Sequence, residues 1–378
     1  MKTTKTVTSM TTVKRRTFAL GGVAAASSLL LAACGGGRTA EDTGGGDSGA
    51  GGGFDADATV GVSLPWLGTQ NWAEAQDLFT AQLKEAGFTA LVQAADNKVP
   101  QQQQQIEAMV QQGAKAIVVG PIDGTQLGSA LKAAKDAGVR IIGYDRLIEN
   151  TDAVDAVVQF GSIRTGELQG QSLLDGLAER KGEGPYNIEL FGGGPADPNA
   201  PNFFTGAMSV LQPKIDDGTV VVVSGQVDFQ QAATQDWDNG KAQSRMDSIL
   251  AANYSDKQID GVLSPNDGIA RAIITSCTAA GQDVPVVDGL DAETESITSI
   301  WKGDQYSTVH KPTKDLVAKT IEIISAYQKG EEPPAADETE NNGTIDVPIY
   351  ALDPVVVTKE NAKEVFADDP DRLALLDG

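Results

Sequence analysis

Ala116–Arg146 reads AIVVGPIDGTQLGSALKAAKDAGVRIIGYDR. It opens on a short β-branched run, Ala116–Val119. A helical stretch follows over Gly124–Ala137, and a second short apolar run over Arg140–Gly143. Strand, helix and strand in this order make a βαβ unit, whose two strands run parallel and pack a helix against their sheet. The same alternation extends in both directions. Strands are predicted at Thr59–Ser63, Thr89–Ala94, Ala156–Gln159, Asn187–Phe191, Val220–Ser224, Gly261–Leu263, Val284–Asp288 and Tyr306–Val309. Helices are predicted at Trp72–Ala86, Gln101–Gln112, Gly166–Glu179, Asn202–Gln212, Asn239–Ala252, Gly268–Ala280, Thr294–Lys302 and Lys314–Lys329. The class is α/β. Ten strands suit two doubly wound parallel sheets of about five strands each better than one wide sheet.

Ahead of this body lies a different composition. Lys14, Arg15 and Arg16 precede an apolar run from about Phe18 to Ala33, which closes as Leu31-Ala32-Ala33-Cys34. A basic start, a short apolar core and small residues before the break read as an export signal over 1–33, too short for a permanent membrane span. A cysteine in that place resembles a bacterial lipobox, with Cys34 lipidated as the new N-terminus. Arg15-Arg16-Thr17-Phe18 loosely resembles a twin-arginine signal. Residues 34–57 are mostly Gly, Ser, Thr and Asp, a tether whose reach is roughly 25 Å.

Removing this leader takes away five basic residues and no acid, moving the formal charge from −23 to −28. Such an acidic chain is a poor partner for nucleic acid. Cys277 has no disulfide partner once Cys34 is lipidated and sits in an apolar helix as a small core residue. Pro100 and Gln101–Gln105 read as the solvated opening turns of a helix. Gly192-Gly193-Gly194 follows a strand, but Pro195 and Pro198 deny it the helix that a phosphate loop needs.

Ligands of open parallel sheets bind beyond the carboxyl ends of the strands. There the chain places Pro65, Trp66, Asn71 and Trp72; Asp96 and Asn97; Asp123; Asp145 and Arg146; Asp197 and Asn199; Trp237; Asn266 and Asp267; Asp291; and His310 and Lys311. Carboxylates accept from hydroxyls, Arg and Lys donate, carboxamides do both, and indole faces cover the C–H face of a sugar ring. The mixture suits a neutral polyol. Helix capping accounts equally well for Asp96, Asp123 or Asp267 taken singly, and a surface ion pair would account for Asp145-Arg146. Otherwise Asp145 and Arg146 are expected to grip neighbouring hydroxyls while compensating each other's charge.

Ile122-Asp123-Gly124-Thr125, Tyr144-Asp145-Arg146-Leu147-Ile148, Asn187–Gly193, Gly206–Leu211, Ser264-Pro265-Asn266-Asp267-Gly268 and Gln305–Thr308 carry a wider likeness. In order and spacing they resemble the type I sugar-binding proteins of bacterial ABC importers, nearest the multiple-monosaccharide branch and beside the xylose-binding proteins. The resemblance implies two doubly wound parallel-sheet lobes joined by three hinge strands, with crossovers near Phe160-Gly161, His310-Lys311 and Ala351–Pro354. It implies one lobe from 58–160 with 311–350 and another from 161–310 with 351–378. The ligand set would be Asn71, Trp72, Asp96, Asp123, Asp145, Arg146, Asn199, Trp237, Asn266, Asp291 and Lys311. Gly161-Ser162 stands where the family often has an Asp-Asn pair, and Asn71 where a basic residue is common, so sugar preference is open.

The expected function is capture of a monosaccharide (xylose, arabinose, glucose or galactose) and its delivery to an ABC permease by a monomer held to the membrane through Cys34. No cofactor, metal or catalytic constellation is expected: His310 is the only histidine. Two alternatives are a glycosidase using carboxylates such as Asp145 and Asp291, and a sugar sensor that shows its closed form to a receptor. A DNA-binding regulator would need a basic head, and the N-terminal region instead reads as signal and tether.

Overall fold

The computed structural model describes residues 53–377. The signal, Cys34 and nearly all of the tether lie outside the described residues. The first passage of the chain runs β1 (Thr59–Leu64), α1 (Gln70–Glu85), β2 (Thr89–Ala94), α2 (Val99–Gln111), β3 (Ala116–Val119), α3 (Gly128–Asp136), β4 (Arg140–Tyr144) and β5 (Ala156–Phe160). β1 pairs in parallel with β2 and β3, β3 with β4, and β4 with β5. Alternate strand residues face opposite ways, so the sheet has two cores. Val60, Val62 and Leu64 pack with Trp72, Phe79 and Leu83 of α1. Ile117, Val119 and Ile141 pack with Ile106 and Met109 of α2 and Leu131 of α3. That is the expected doubly wound arrangement.

At Gly161 the chain enters α4 (Ser162–Lys181) and builds a second parallel sheet. β6 (Tyr186–Leu190), α5 (Asn199–Asp216), β7 (Val220–Val222), α6 (Phe229–Ala232), α7 (Asn239–Asn253), β8 (Gly261–Leu263), α8 (Asp267–Ala279), β9 (Val286–Val287), α9 (Thr294–Lys302) and β10 (Ser307–His310) follow. The order is β7-β6-β8-β9. α4 and α5 cover one face, and α7 and α8 cover the other, where Cys277 is a buried free thiol.

After His310 the chain returns to the first sheet through α10 (Thr313–Lys329), β11 (Glu338–Asn341) and β12 (Asp346–Leu352). It then crosses again at Asp353-Pro354 into β13 (Val355–Thr358), α11 (Ala362–Val365) and α12 (Pro370–Ala374). β12 pairs with β5 in parallel, and β13 with β10 antiparallel.

The sheets therefore hold seven and four strands, with β10 and β13 a separate pair, rather than five and five. Three of the thirteen strands among the described residues lie beyond the ten expected. β11 (ETEN) has no apolar residue to mark it, and Pro348 interrupts the pattern of β12. The glutamine run differs too. α2 begins as expected beside Pro100, but Gln102 is fully buried. It donates to Gly120 O at 2.8 Å and accepts from Ile122 N–H at 3.0 Å, while Gln105 accepts from Ser63 Oγ. These amides satisfy backbone groups at the ends of β1 and β3, where the sheet stops and the site begins.

Candidate functional site

A cavity lies where the carboxyl ends of both sheets meet. It is bounded by Asn71 and Trp72 of α1, by Asp145 and Arg146 directly after β4, and by Asn199, Trp237, Asn266, Asp291 and Lys311. A smaller adjoining space shares Asn71, Trp72, Asp145, Asp291 and Lys311 with it and reaches Tyr144. Nine of the eleven residues expected at a ligand thus surround one cavity.

Asp96 and Asp123 do not. Asp96 is exposed in the turn after β2, within 3.5 Å of Gln101 Nε2. Asp123 accepts from Thr125 N–H at 2.8 Å and from its hydroxyl at 2.7 Å, ordering its own turn. Asp123 does the local turn-ordering work that short polar side chains do at strand ends, and Asp96 meets only another surface side chain.

The charge pairing also differs from expectation. Arg146 does not compensate Asp145. Its Nη2 lies 2.7 Å from Asp197 Oδ2 of the other lobe, and its Nη1 donates to Pro121 O at 2.9 Å. Asp145 is joined to Lys311, whose Nζ lies 3.2 Å from Asp145 Oδ1 and 3.4 Å from Asp291 Oδ1. Neighbours at a strand end diverge, so each finds its partner across the cleft. Asn199 ties the same place: its Nδ2 donates to Asp145 O at 2.8 Å, and its Oδ1 accepts from Ser162 Oγ at 3.0 Å. Asn266 has two roles, lining the cavity and accepting Ile269 N–H at 2.9 Å as the N-cap of α8.

Burial shapes the electrostatics. It pushes the Asp291 carboxyl up to about 6, with Lys311 pulling the other way. It also raises Asp197 against the pull of Arg146. Burial opposes the Lys311 ammonium, but Asp145 and Asp291 more than offset this and hold its pKa above the usual lysine value. Arg146 Nε is buried without a hydrogen-bond partner among the described residues, and Asp291 Oδ1 has only the Lys311 ammonium at 3.4 Å. Unsatisfied polar atoms beside a cavity are what a ligand's hydroxyls would pair with.

The aromatic walls have specific seats. Trp72 packs on Tyr144 with ring centroids 5.9 Å apart, and the Arg146 guanidinium carbon stands 5.1 Å from its ring centre. Trp237 donates Nε1–H to Asp197 Oδ2 at 3.2 Å. Its indole lies against the triple glycine: a Cβ at Gly193 would stand 2.2 Å from the ring, and one at Gly194 2.9 Å. The glycines that hold no phosphate loop make room for this ring. Asp145, Trp237 and Asp291 all take positive φ, at 65°, 56° and 90°. Such strain is tolerated where the surroundings over-determine it, commonly at functional sites.

Trp66, Thr69, Asp197, Phe203 and Leu290 complete the lining without having been assigned to it. Trp66 and Asp197 were within reach of the strand-end rule. Phe203 sits on the apolar stripe of α5 and gives no sign that separates it from a core residue. His310 packs edge-on against Phe366 at 5.3 Å, and burial lowers its pKa to about 4. Among the described residues, no group of three or more His, Cys, Asp or Glu is placed to hold a metal, and no helix is long and apolar enough to cross a membrane.

Comparison with known proteins gives a consistent picture. The family model for the periplasmic binding protein domain matches residues 60–332. The chain is 42% identical over 322 residues to the multiple sugar-binding periplasmic receptor ChvE of Rhizobium radiobacter, covering 83% of this chain and 91% of that one. It is 34% identical to the D-xylose-binding periplasmic protein of Escherichia coli (strain K12), covering 83% and 90%. A crystal structure of an ABC transporter solute binding protein from Clostridium phytofermentans with bound β-D-glucose superposes with a TM-score of 0.79 at 37% identity, covering 83% and 99%.

Proposed function

Since this chain belongs to the family of periplasmic binding protein domains, we propose that it captures a monosaccharide outside the cytoplasm and hands it to an ABC importer. The ligand is an aldopentose or aldohexose such as xylose, arabinose, glucose or galactose. The observation that carries this is the cavity wall itself: three tryptophans beside carboxylates, carboxamides and two cations that are already neutralised. Arg146 and Lys311 are matched by Asp197, Asp145 and Asp291, so a sugar phosphate or uronate would bring its charge against three carboxylates. A neutral polyol meets alternating donors and acceptors. In this reading Asn71, Trp72, Asp145 and Arg146 hold the sugar from one lobe, Asn199, Trp237, Asn266 and Asp291 from the other, and Lys311 from the crossover between them.

Capture needs no bond to be made or broken. The glycosidase alternative loses ground because one ammonium, at 3.2 and 3.4 Å, already engages both Asp145 and Asp291, the carboxylates it would need. We further infer a monomer that docks on a permease and is anchored through a lipid on Cys34. A Cys34→Ala protein should leave the membrane fraction or remain unprocessed, and a mature membrane-bound variant would refute the anchor.

Calorimetry and thermal melting against an aldose panel test the main reading, with glucose 6-phosphate, glucuronate, an aryl glycoside and an amino acid as controls. A ligand held only by the folded state at a hundredfold excess over Kd adds about 2.7 kcal/mol, so one or more neutral aldoses should raise Tm clearly. A shift by the amino acid and by no aldose, or release of the aryl group, would reject it.

A further inference from the structure

Outside the cavity, a second polar network joins the same two lobes. Gln70 and Glu74 stand one turn apart on α1, and Gln70 Nε2 donates to Glu74 Oε1 at 2.8 Å. Across the cleft, Gln70 Oε1 accepts from the backbone N–H of Thr294 at 2.8 Å and from its hydroxyl at 2.9 Å. Glu74 Oε1 lies 2.8 Å from Arg372 Nη2. Arg372 is fixed on its own side: Nη1 is 2.7 Å from Asp369 Oδ2, and Nε donates to Ala292 O at 3.3 Å. Its neighbours Leu373, Leu375 and Leu376 pack with Ala292, Ile297 and Val357 in the second lobe. None of Gln70, Glu74, Thr294 and Arg372 lines the cavity.

This network shares its supports with the cavity. The first turn of α1 carries Asn71 and Trp72 to the cavity and Gln70 and Glu74 to the network. The segment after β9 carries Leu290 and Asp291 to the cavity and Ala292 and Thr294 to the network. Both are aligned in the same arrangement of the lobes. We propose that Gln70, Glu74, Thr294 and Arg372 form a latch that sets how long the sugar is held, without touching it. This rests on the sugar-capture reading above. Contacts made only when the lobes meet favour the closed population, and apparent affinity falls in proportion to that population. The ion pair is partly exposed, with side chains 14% and 28% accessible, so its effect is modest.

The test uses D-xylose and D-glucose as probes, with stopped-flow dissociation and calorimetry on the wild type, Glu74→Ala, Gln70→Ala and the double variant. Each single truncation should speed dissociation about threefold and the double about tenfold, as expected of partly exposed polar pairs. Association rate and sugar-free Tm should stay near wild type. Because Glu74 bonds within its own lobe only to Gln70, its truncation does not depend on the C-terminal segment staying folded. Unchanged dissociation in the double variant, with wild-type binding intact, overturns the latch and leaves sugar capture standing. A wild type that binds neither these two sugars nor any other aldose of the panel overturns both.

Discussion

The two halves of the cleft are built differently. On the seven-stranded side, Asp145 and Arg146 follow β4 directly, and Tyr144 before them is wedged between Trp72 and Phe79 at 5.9 and 5.0 Å. On the four-stranded side, β7, β8 and β9 have only two or three residues each. Asp197, Trp237 and Asp291 come from separate segments beyond them, with positive φ at Trp237 and Asp291 as at Asp145 on the other side. A packed strand delivers the first half. The second is held by buried polar anchors and by a glycine seat, so it is the half more easily displaced.

The largest expected effect comes from cutting the pair that joins the halves. Arg146→Ala strands buried Asp197 and removes a donor from the cavity. Charge-assisted bonds contribute about 1.5–3 kcal/mol each, and 1.4 kcal/mol is a factor of ten. Sugar affinity by calorimetry should fall at least tenfold with far-UV dichroism unchanged. Wild-type affinity in this variant would remove the centre of the site.

The two tryptophan seats compare the halves directly. A Cβ on Gly193 would meet Trp237 at 2.2 Å, whereas one on Gly120 would meet Trp72 at 3.0 Å. Overpacking of this kind costs about 1–3 kcal/mol. Gly193→Ala should tilt the indole, shift tryptophan emission and weaken sugar binding several-fold, and Gly120→Ala should do so less. Equal losses would mean that the second half is no softer than the first.

The smallest effect on sugar binding, seen instead in stability, concerns the anchor beneath Asp291. Asp267 is fully buried; its Oδ2 accepts Glu293 N–H at 2.8 Å, and its Oδ1 accepts from Gln305 Nε2 at 2.9 Å. Burial, with the charge of Glu293, raises its pKa from 3.8 to about 8. The folded state therefore binds a proton that the unfolded chain has released. The stabilisation is complete below pH 4 and is lost as pH rises towards 8. Burial raises Asp288 in the same direction. This contribution should lower Tm between pH 5 and 8, and Asp267→Asn should flatten the slope while keeping the donor bonds partly matched. An identical slope in the variant would show that this carboxyl does not titrate there.

Much of this was legible locally. Alternating β-branched runs and helical stretches placed ten strands within a residue or two, because side-chain periodicity follows from backbone geometry alone. The strand-end rule collected Asn71, Trp72, Asp145, Arg146 and Asp291 with no alignment. It also collected Asp96 and Asp123, because a carboxylate that caps a turn and one that meets a ligand look alike in sequence. Asp197 stood in the same inventory but was passed over between Pro195 and Pro198. β11 carried no apolar signature at all.

The sequence by itself determined the order of elements, the parallel sheets and the kinds of chemistry beyond their ends, since each depends on residues close along the chain. Only the tertiary structure decided which charge meets which. Arg146 pairs with Asp197, Lys311 reaches Asp145 across a separation of 166 residues, and Glu74 meets Arg372 across 298. Electrostatic partners are chosen by distance in space and by burial. Both are set when two sheets, each with its own core, are brought face to face by three crossings of the chain.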